Sequence, residues 1–128
     1  MGCNGSPAFF ASDVWPNYLA RWKCGQSGCH DAQSGHGYFR LTDPTCPVPV
    51  PGGEVCPPLP TTPLTQWTDN WRTNYQNSAR FLNCGDPTAS PLLIIPEGKG
   101  QPHPGGVIFA GQDATDAETL FTQWASMP

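Results

Sequence analysis

Charged side chains are scarce in this chain. Asp, Glu, Lys and Arg make up 12% of the 128 residues, and six basic residues against ten acidic ones give a formal net charge of −4. Lys and Arg form no cluster, so the sequence lacks the electrostatic surface with which proteins bind nucleic acid or an anionic membrane. A surface with so few charges repels copies of itself only weakly, which leaves self-association open.

The sequence also lacks a long apolar run and a secretory leader. No apolar segment approaches the roughly 18 residues that span a bilayer, and the opening Met1-Gly2-Cys3 has no basic region and no apolar region. Six cysteines nevertheless favour an oxidising compartment. We therefore expect an exported protein whose leader has been removed and whose Met1 is not native. Gly2-Cys3 is similar to the end of a bacterial lipoprotein signal, so Cys3 is either lipidated or, more simply, part of a disulfide.

Proline and glycine are abundant, at 16 and 14 residues, whereas strand signals are almost absent. The apolar run at 107–109 is too short for a convincing strand. Five Trp, six Phe and three Tyr argue against disorder, because such rings need a core in which to pack. The length suits one domain, which we place over residues 1–128.

Apolar residues at helical spacing predict an all-α fold with three to four helices. The predicted helices cover residues 12–23, 63–82, 92–95 and 117–126. Proposed N-caps are Ser12 or Asp13 for the first helix and Asp116 for the last, and Pro16 is tolerable only in a first turn. The second helix has the clearest repeat, consisting of Leu64, Trp67, Trp71, Tyr75, Ser78 and Leu82. Residues 43–63 hold eight prolines and are predicted to be an extended, inserted loop.

The segment from Cys24 to His30 carries the chemistry. Two cysteines are separated by four residues, and His30 follows Cys29 directly. The covalent haem signature is Cys-x-x-Cys-His, and this is a longer form of it. Each sulfur adds to one haem vinyl group, which places the next residue under the iron. Gly25 and Gly28 allow the two extra residues to loop outward.

Two other interpretations of the same residues stay open. Cys24 and Cys29 can form an ordinary disulfide, with His30 incidental. They can also join His30 in a zinc site that takes His36 or Cys46 as its fourth ligand.

Residues outside the motif resemble single-haem c-type cytochrome domains of bacterial exported proteins. In that family a Trp- or Pro-containing helix leads into the motif, as 14–16 does here, and a Gly-rich stretch and a Leu follow, as 35–37 and Leu41 do. Further on, the family has a Ser-x-Leu start, a His-x-Gly-Gly loop, a Phe and a closing helix that ends in Trp. The counterparts here are Ser90 to Leu92, His103 to Gly106, Phe109 and Leu120 to Trp124. The resemblance implies a cytochrome c-like fold around one covalent haem.

The resemblance also suggests His103 as the distal axial ligand. Elimination agrees, because an electron-transfer haem takes His or Met as its sixth ligand. Met1 and Met127 are terminal, and His36 lies only six residues from His30. We interpret His36 as a surface residue. The remaining alternative for His103 is an exposed loop histidine.

Aromatic residues spread along the chain are candidates for the wall of the haem pocket or, more simply, for an ordinary core. They are Trp15, Trp22, Phe39, Trp67, Trp71, Phe81, Phe109 and Trp124. The four cysteines outside the motif can pair in three ways. Proximity favours Cys46–Cys56, which leaves Cys3 to pair with Cys84.

These features predict an electron carrier rather than an enzyme. Two His ligands, His30 and His103, leave the iron no free position, and bis-His ligation favours a lower reduction potential than His/Met. The partners would be redox proteins of the periplasm, the outer surface or the extracellular space. The alternatives are a haem-bearing subunit of an extracellular cytochrome polymer or respiratory complex, a haem-free disulfide-rich binding module, and a gas sensor or enzyme with a labile distal ligand.

Overall fold

The described part of the chain is built from helices and irregular segments. The computed structural model describes residues 5–22, 24, 30, 39–42, 44, 46, 53–98 and 108–126. Of these, 54% are helical and none lies in a strand, which confirms the all-α class for this part of the chain. None of its helices is both long enough and apolar enough to cross a membrane.

The chain divides into two compact units. One unit comprises Met1–Ser6 with Ser78–Pro128, and the other comprises Pro7–Asn77. The assignment of a single domain to residues 1–128 stays a prediction. The unit Pro7–Asn77 contains Cys24 and His30, and the positioning of these two residues depends on the helices of that unit.

The first helix begins earlier than predicted and changes its hydrogen-bond register. A short α1 (Pro7–Phe9) continues as a π-helix over Phe10–Leu19. The predicted start at Ser12 or Asp13 is therefore wrong, and Pro16 lies in the interior of the helix. Proline has no N–H and its ring crowds the carbonyl four residues earlier, so the wider register relieves a conflict that an α-helix would suffer there.

The π-helix buries residues at steps of four and five. Its buried side chains are Phe10, Val14, Tyr18 and Leu19. Val14 and Tyr18 lie four residues apart on the buried face. The helix ends at Leu19 instead of the predicted residue 23, so Trp22 lies in the turn beyond it and is half-buried.

The predicted helix over 63–82 is interrupted near its start. A short 3-10 turn, Leu64–Gln66, is followed by extended backbone at Trp67, and α2 covers Asp69–Ala79. Thr68 caps α2, since its Oγ1 accepts the backbone N–H of Trp71 at 3.4 Å. Five of the six residues of the predicted apolar face are buried, namely Trp67, Trp71, Tyr75, Ser78 and Leu82, whereas Leu64 is half-buried.

Two helices follow in the unit that contains Ser78–Pro128. A 3-10 turn over Pro87–Ala89 leads into α3 (Pro91–Ile94), close to the predicted 92–95. Ser90 precedes α3 as predicted, but its Oγ accepts the backbone N–H of Asn83 at 2.8 Å and does not cap the helix.

The last helix, α4 (Gln112–Ser126), is longer than predicted. The proposed cap Asp116 is wrong, because this residue lies inside the helix and accepts a hydrogen bond from Gln112 Nε2 at 2.8 Å. Gly111, with φ at +62°, supplies the turn that precedes α4. Phe121 and Trp124 are fully buried, and Trp124 Nε1 donates to Ser6 O at 3.1 Å.

The proline-rich segment is neither helix nor strand where it is described, as predicted. Cys46 and Cys56 are disulfide-bonded, with their Cα atoms 5.4 Å apart, which confirms the predicted pair. The segment returns to the 3-10 turn, where Val55 N–H donates to Gln66 O at 3.0 Å.

Removal of the Cys46–Cys56 disulfide is expected to destabilise the protein. Replacing both cysteines by alanine frees an eleven-residue ring in the unfolded chain, and the loop-entropy relation gives a loss of about 3 kcal/mol. Urea denaturation would measure the free energy of unfolding. Leu59→Ala in the same segment is the control, since Leu59 is 58% exposed and its truncation should cost less than about 0.5 kcal/mol. Equal stability of the double variant and the parent would contradict this expectation.

Candidate functional site

Backbone hydrogen bonds attach the Cys-x4-Cys-His motif to the end of the π-helix. Cys24 N–H donates to Leu19 O at 2.9 Å, and His30 N–H donates to Cys24 O at 3.1 Å. The second bond joins the first cysteine of the motif to its histidine. Cys24 and His30 are both half-buried. The backbone of these two motif residues is therefore held together next to the end of the π-helix.

A hydrogen bond at Nδ1 orients the imidazole of His30. Nδ1 lies 3.0 Å from Phe39 O, and the two rings pack with centroids 4.8 Å apart. A carbonyl oxygen only accepts, so Nδ1 carries the proton, and in the neutral imidazole Nε2 is then the nitrogen with the lone pair. Metal-binding histidines are commonly oriented in this way by a second hydrogen bond.

The segment that holds His30 is in turn held by α2. Leu41 N–H donates to His30 O, at 2.6 Å. The next residue, Thr42, is bonded to Asn74 by both of its backbone groups: Thr42 N–H donates to Oδ1 at 2.8 Å, and Nδ2 donates to Thr42 O at 2.7 Å. Asn74 is fully buried. One side chain of α2 thus replaces the partner strand that this extended segment would otherwise need.

An aromatic cluster packs between the π-helix and the segment 67–75. Its members are Phe10, Trp15, Trp67, Trp71 and Tyr75, with neighbouring ring centroids 5.6 to 6.4 Å apart. Burial raises the pKa of Tyr75. Three of the predicted pocket aromatics, Trp15, Trp67 and Trp71, are thereby brought together.

The other predicted aromatics are distributed differently. Phe39 packs on His30. Trp124 pairs with Phe121 at 5.8 Å in the unit that contains Ser78–Pro128, where Phe109 is also buried. Whether any of these rings contacts a haem stays a prediction.

Several predicted site residues lie outside the described part of the chain. These are Cys3, Cys29, His36 and His103. Cys84 is exposed and disulfide-bonded, and its pairing with Cys3 stays a prediction. The role of His103 as a distal ligand stays a prediction on the same ground.

The zinc interpretation loses one of its proposed ligands. Cys46 is consumed by the disulfide with Cys56, so its sulfur is not a thiolate that could complete a site with Cys24 and His30. Within the described residues no group of three or more His, Cys, Asp or Glu side chains is placed to hold a metal ion.

Sequence reasoning missed Asn74 and the carbonyl of Phe39. Asn74 could have been found, because it lies one helical turn after Trp71, on the face that the apolar repeat marks as buried. A polar residue on that face needs partners. The hydrogen bond from His30 to Phe39 O could not be predicted from residue types, because its acceptor is a main-chain atom.

Comparison with known proteins does not assign the chain to a family. No protein-family model, no curated protein and no solved structure matches it. Its function is therefore argued from its own residues and their geometry.

Proposed function

We propose that the protein is an electron carrier with one covalently attached haem c. The observation that carries this proposal is the His30 imidazole, whose Nδ1 donates to Phe39 O at 3.0 Å. This bond sets the plane of the ring, so that Nε2 is the nitrogen with which the imidazole would bind a metal ion. It occurs in a histidine that directly follows a cysteine in a Cys-x4-Cys-His segment, where haem attachment requires the ligand.

The residues present fit a haem in three respects. Cys24 and Cys29 would form the thioethers, and His30 would be the proximal ligand. The hydrogen bond from His30 N–H to Cys24 O would help to hold the imidazole in place. Buried Trp71 also has an indole N–H with no acceptor in the described part of the chain, as expected where a ligand group supplies the acceptor.

The bound haem would supply one-electron redox chemistry at iron. The chain's part is to ligate, orient and desolvate the group. His30 would be oriented by Phe39 O, and His103 would be the second histidine that holds the group, a ligand pair that would favour a low potential. A cytochrome c-like arrangement of the helices belongs to the same proposal.

Haem attachment is tested by expressing the chain with a cytochrome c maturation system. The parent should show an alkaline pyridine haemochrome spectrum and an intact mass increased by one haem that survives denaturation. Cys24→Ser/Cys29→Ser should lose all covalent haem, because neither sulfur of the motif remains to form a thioether. The matched control is Cys46→Ser/Cys56→Ser, which also removes two cysteines yet should retain the haem. A parent protein without haem under these conditions would contradict the proposal.

A further inference from the structure

Residues 39–42 contact His30 at two separate points. Phe39 O lies 3.0 Å from the imidazole Nδ1, and Leu41 N–H donates to the backbone carbonyl of His30 at 2.6 Å. The first bond orients the ring, and the second fixes the main chain from which the ring projects. Because both partners belong to the same short segment, a displacement of that segment would move the ring and the main chain of His30 together.

The residues on either side of Leu41 are bonded to α2. Asn77 Nδ2 donates to Arg40 O at 2.9 Å, and Asn74 binds the N–H and C=O groups of Thr42 at 2.8 and 2.7 Å. Asn74 and Asn77 are three positions apart, so they are neighbours along one face of the helix. Their side chains therefore fix the main chain of the segment on both sides of the residue that binds His30 O.

Asn74 contributes more to this attachment than Asn77. Its side chain is fully buried, as is that of Leu41, whereas Asn77 is half-buried. A hydrogen bond that is shielded from water is stronger, and the loss of one partner leaves the other buried without a bond. Asn74 also binds both backbone groups of one residue, which fixes the position of that residue as well as its orientation.

We propose that Asn74 is a positioning residue for His30, which sets the plane of the proximal imidazole and thereby the reduction potential of the bound haem. This inference rests on the proposed function. Asn74 acts through residues 39–42, which carry the Phe39 carbonyl that accepts from Nδ1. A hydrogen bond from the second ring nitrogen makes a histidine ligand more basic, which favours ferric iron. Loosening of the segment should weaken this bond and raise the potential.

The first test compares Asn74→Ala with the parent, both loaded with haem. Alanine suits a helix but removes the bonds to Thr42. The potential should rise, and a tenfold weaker preference for ferric iron corresponds to about 59 mV for one electron. The electron paramagnetic resonance spectrum of the ferric protein should also change, because its g values depend on the orientation of the axial ligand planes. Asn77→Ala removes one half-buried bond, so it should shift both quantities in the same direction by less, and it decides the test if Asn74→Ala does not fold.

The second test does not need haem. In the full chain without haem, nitrogen NMR of the His30 ring distinguishes the tautomer with Nδ1–H from the tautomer with Nε2–H. The parent should show the Nδ1–H form, and Asn74→Ala should show a mixture of the two. The Leu41 amide should exchange with solvent at least about tenfold faster in the variant, as expected where two hydrogen bonds that hold a segment are lost. A chain that gives these results but attaches no haem contradicts the proposed function and not the positioning of His30, so the two failures are distinguishable.

The matched control is Thr68→Ala. Thr68 Oγ1 accepts the N–H of Trp71 and caps the same helix, so its loss weakens α2 while the bonds from Asn74 to Thr42 are retained. The potential, the g values and the His30 tautomer should stay as in the parent. Equal shifts in Thr68→Ala and Asn74→Ala would overturn the proposal, because general loosening of α2 would then explain both. A folded Asn74→Ala protein with the parent's potential, g values and tautomer would overturn it as well.

Discussion

Replacing His30 by alanine is expected to abolish the six-coordinate, low-spin spectrum of the haem-loaded protein. The imidazole is the proximal ligand in the proposed site, and Phe39 O fixes its orientation through Nδ1. Loss of an outer-shell partner of a metal ligand already costs about 10–100-fold in affinity, so loss of the ligand itself should lower the yield of correctly ligated protein by at least that factor. Optical spectroscopy of the oxidised and reduced forms measures the outcome.

The control for His30→Ala is His36→Ala. His36 follows in the same glycine-containing stretch and is predicted to lie at the surface, so its loss should leave the spectrum unchanged. Added imidazole should restore a low-spin spectrum to the His30→Ala protein by occupying the vacated position. A His30→Ala protein with the parent's spectrum and yield would show that His30 is not the ligand.

Replacing Asn74 by aspartate is expected to destabilise the unit Pro7–Asn77 strongly. The fully buried amide donates to Thr42 O at 2.7 Å and accepts from Thr42 N at 2.8 Å. An ionised carboxylate keeps the acceptor but places a second negative oxygen against Thr42 O. An unsatisfied buried carbonyl combined with a buried charge should cost about 3 kcal/mol or more. Urea denaturation near neutral pH measures this loss.

The effect of Asn74→Asp should depend on pH with a definite sign. Burial disfavours the charged carboxylate, so acidification protonates it readily and restores an O–H donor toward Thr42 O. The loss of stability relative to the parent should therefore shrink as the pH falls. Asn77→Asp is the control, because Asn77 is half-buried and its side-chain amide donates to Arg40 O at 2.9 Å, so it should cost about 1 kcal/mol. Equal costs at both positions would contradict the structural role given to Asn74.

The helix that follows the proline-rich segment shows what the spacing of apolar residues can and cannot predict. Its apolar face was correctly predicted from Trp67 to Leu82, because burial follows the spacing of apolar side chains. The interruption at Trp67 was not predicted. It depends on Thr68, whose hydroxyl caps α2. The position of a threonine within an apolar repeat does not show whether the residue caps a helix or lies at the surface.

The first helix shows the opposite case. The sequence pattern allowed Pro16 only in a first turn and so began the helix at Ser12 or Asp13. The chain begins it at Pro7 and accommodates Pro16 in a π-helix, a register in which Phe10, Val14 and Tyr18 are buried. Tertiary packing therefore outweighed the local preference against proline in the interior of a helix, which arises from a single missing hydrogen bond and the crowding of the ring.

The sequence by itself determined the all-α class of the described residues, the Cys46–Cys56 pair and the motif that begins at Cys24, since each depends on residue type and short separation along the chain. Only the tertiary structure decided that His30 is oriented by a main-chain carbonyl, that Asn74 anchors the segment beyond it, and that Trp71 is buried with an indole N–H for which no described residue is the acceptor. The physical reason is that packing selects hydrogen-bond partners that are distant in sequence. The sequence of side chains does not reveal such partners, above all when they are main-chain groups.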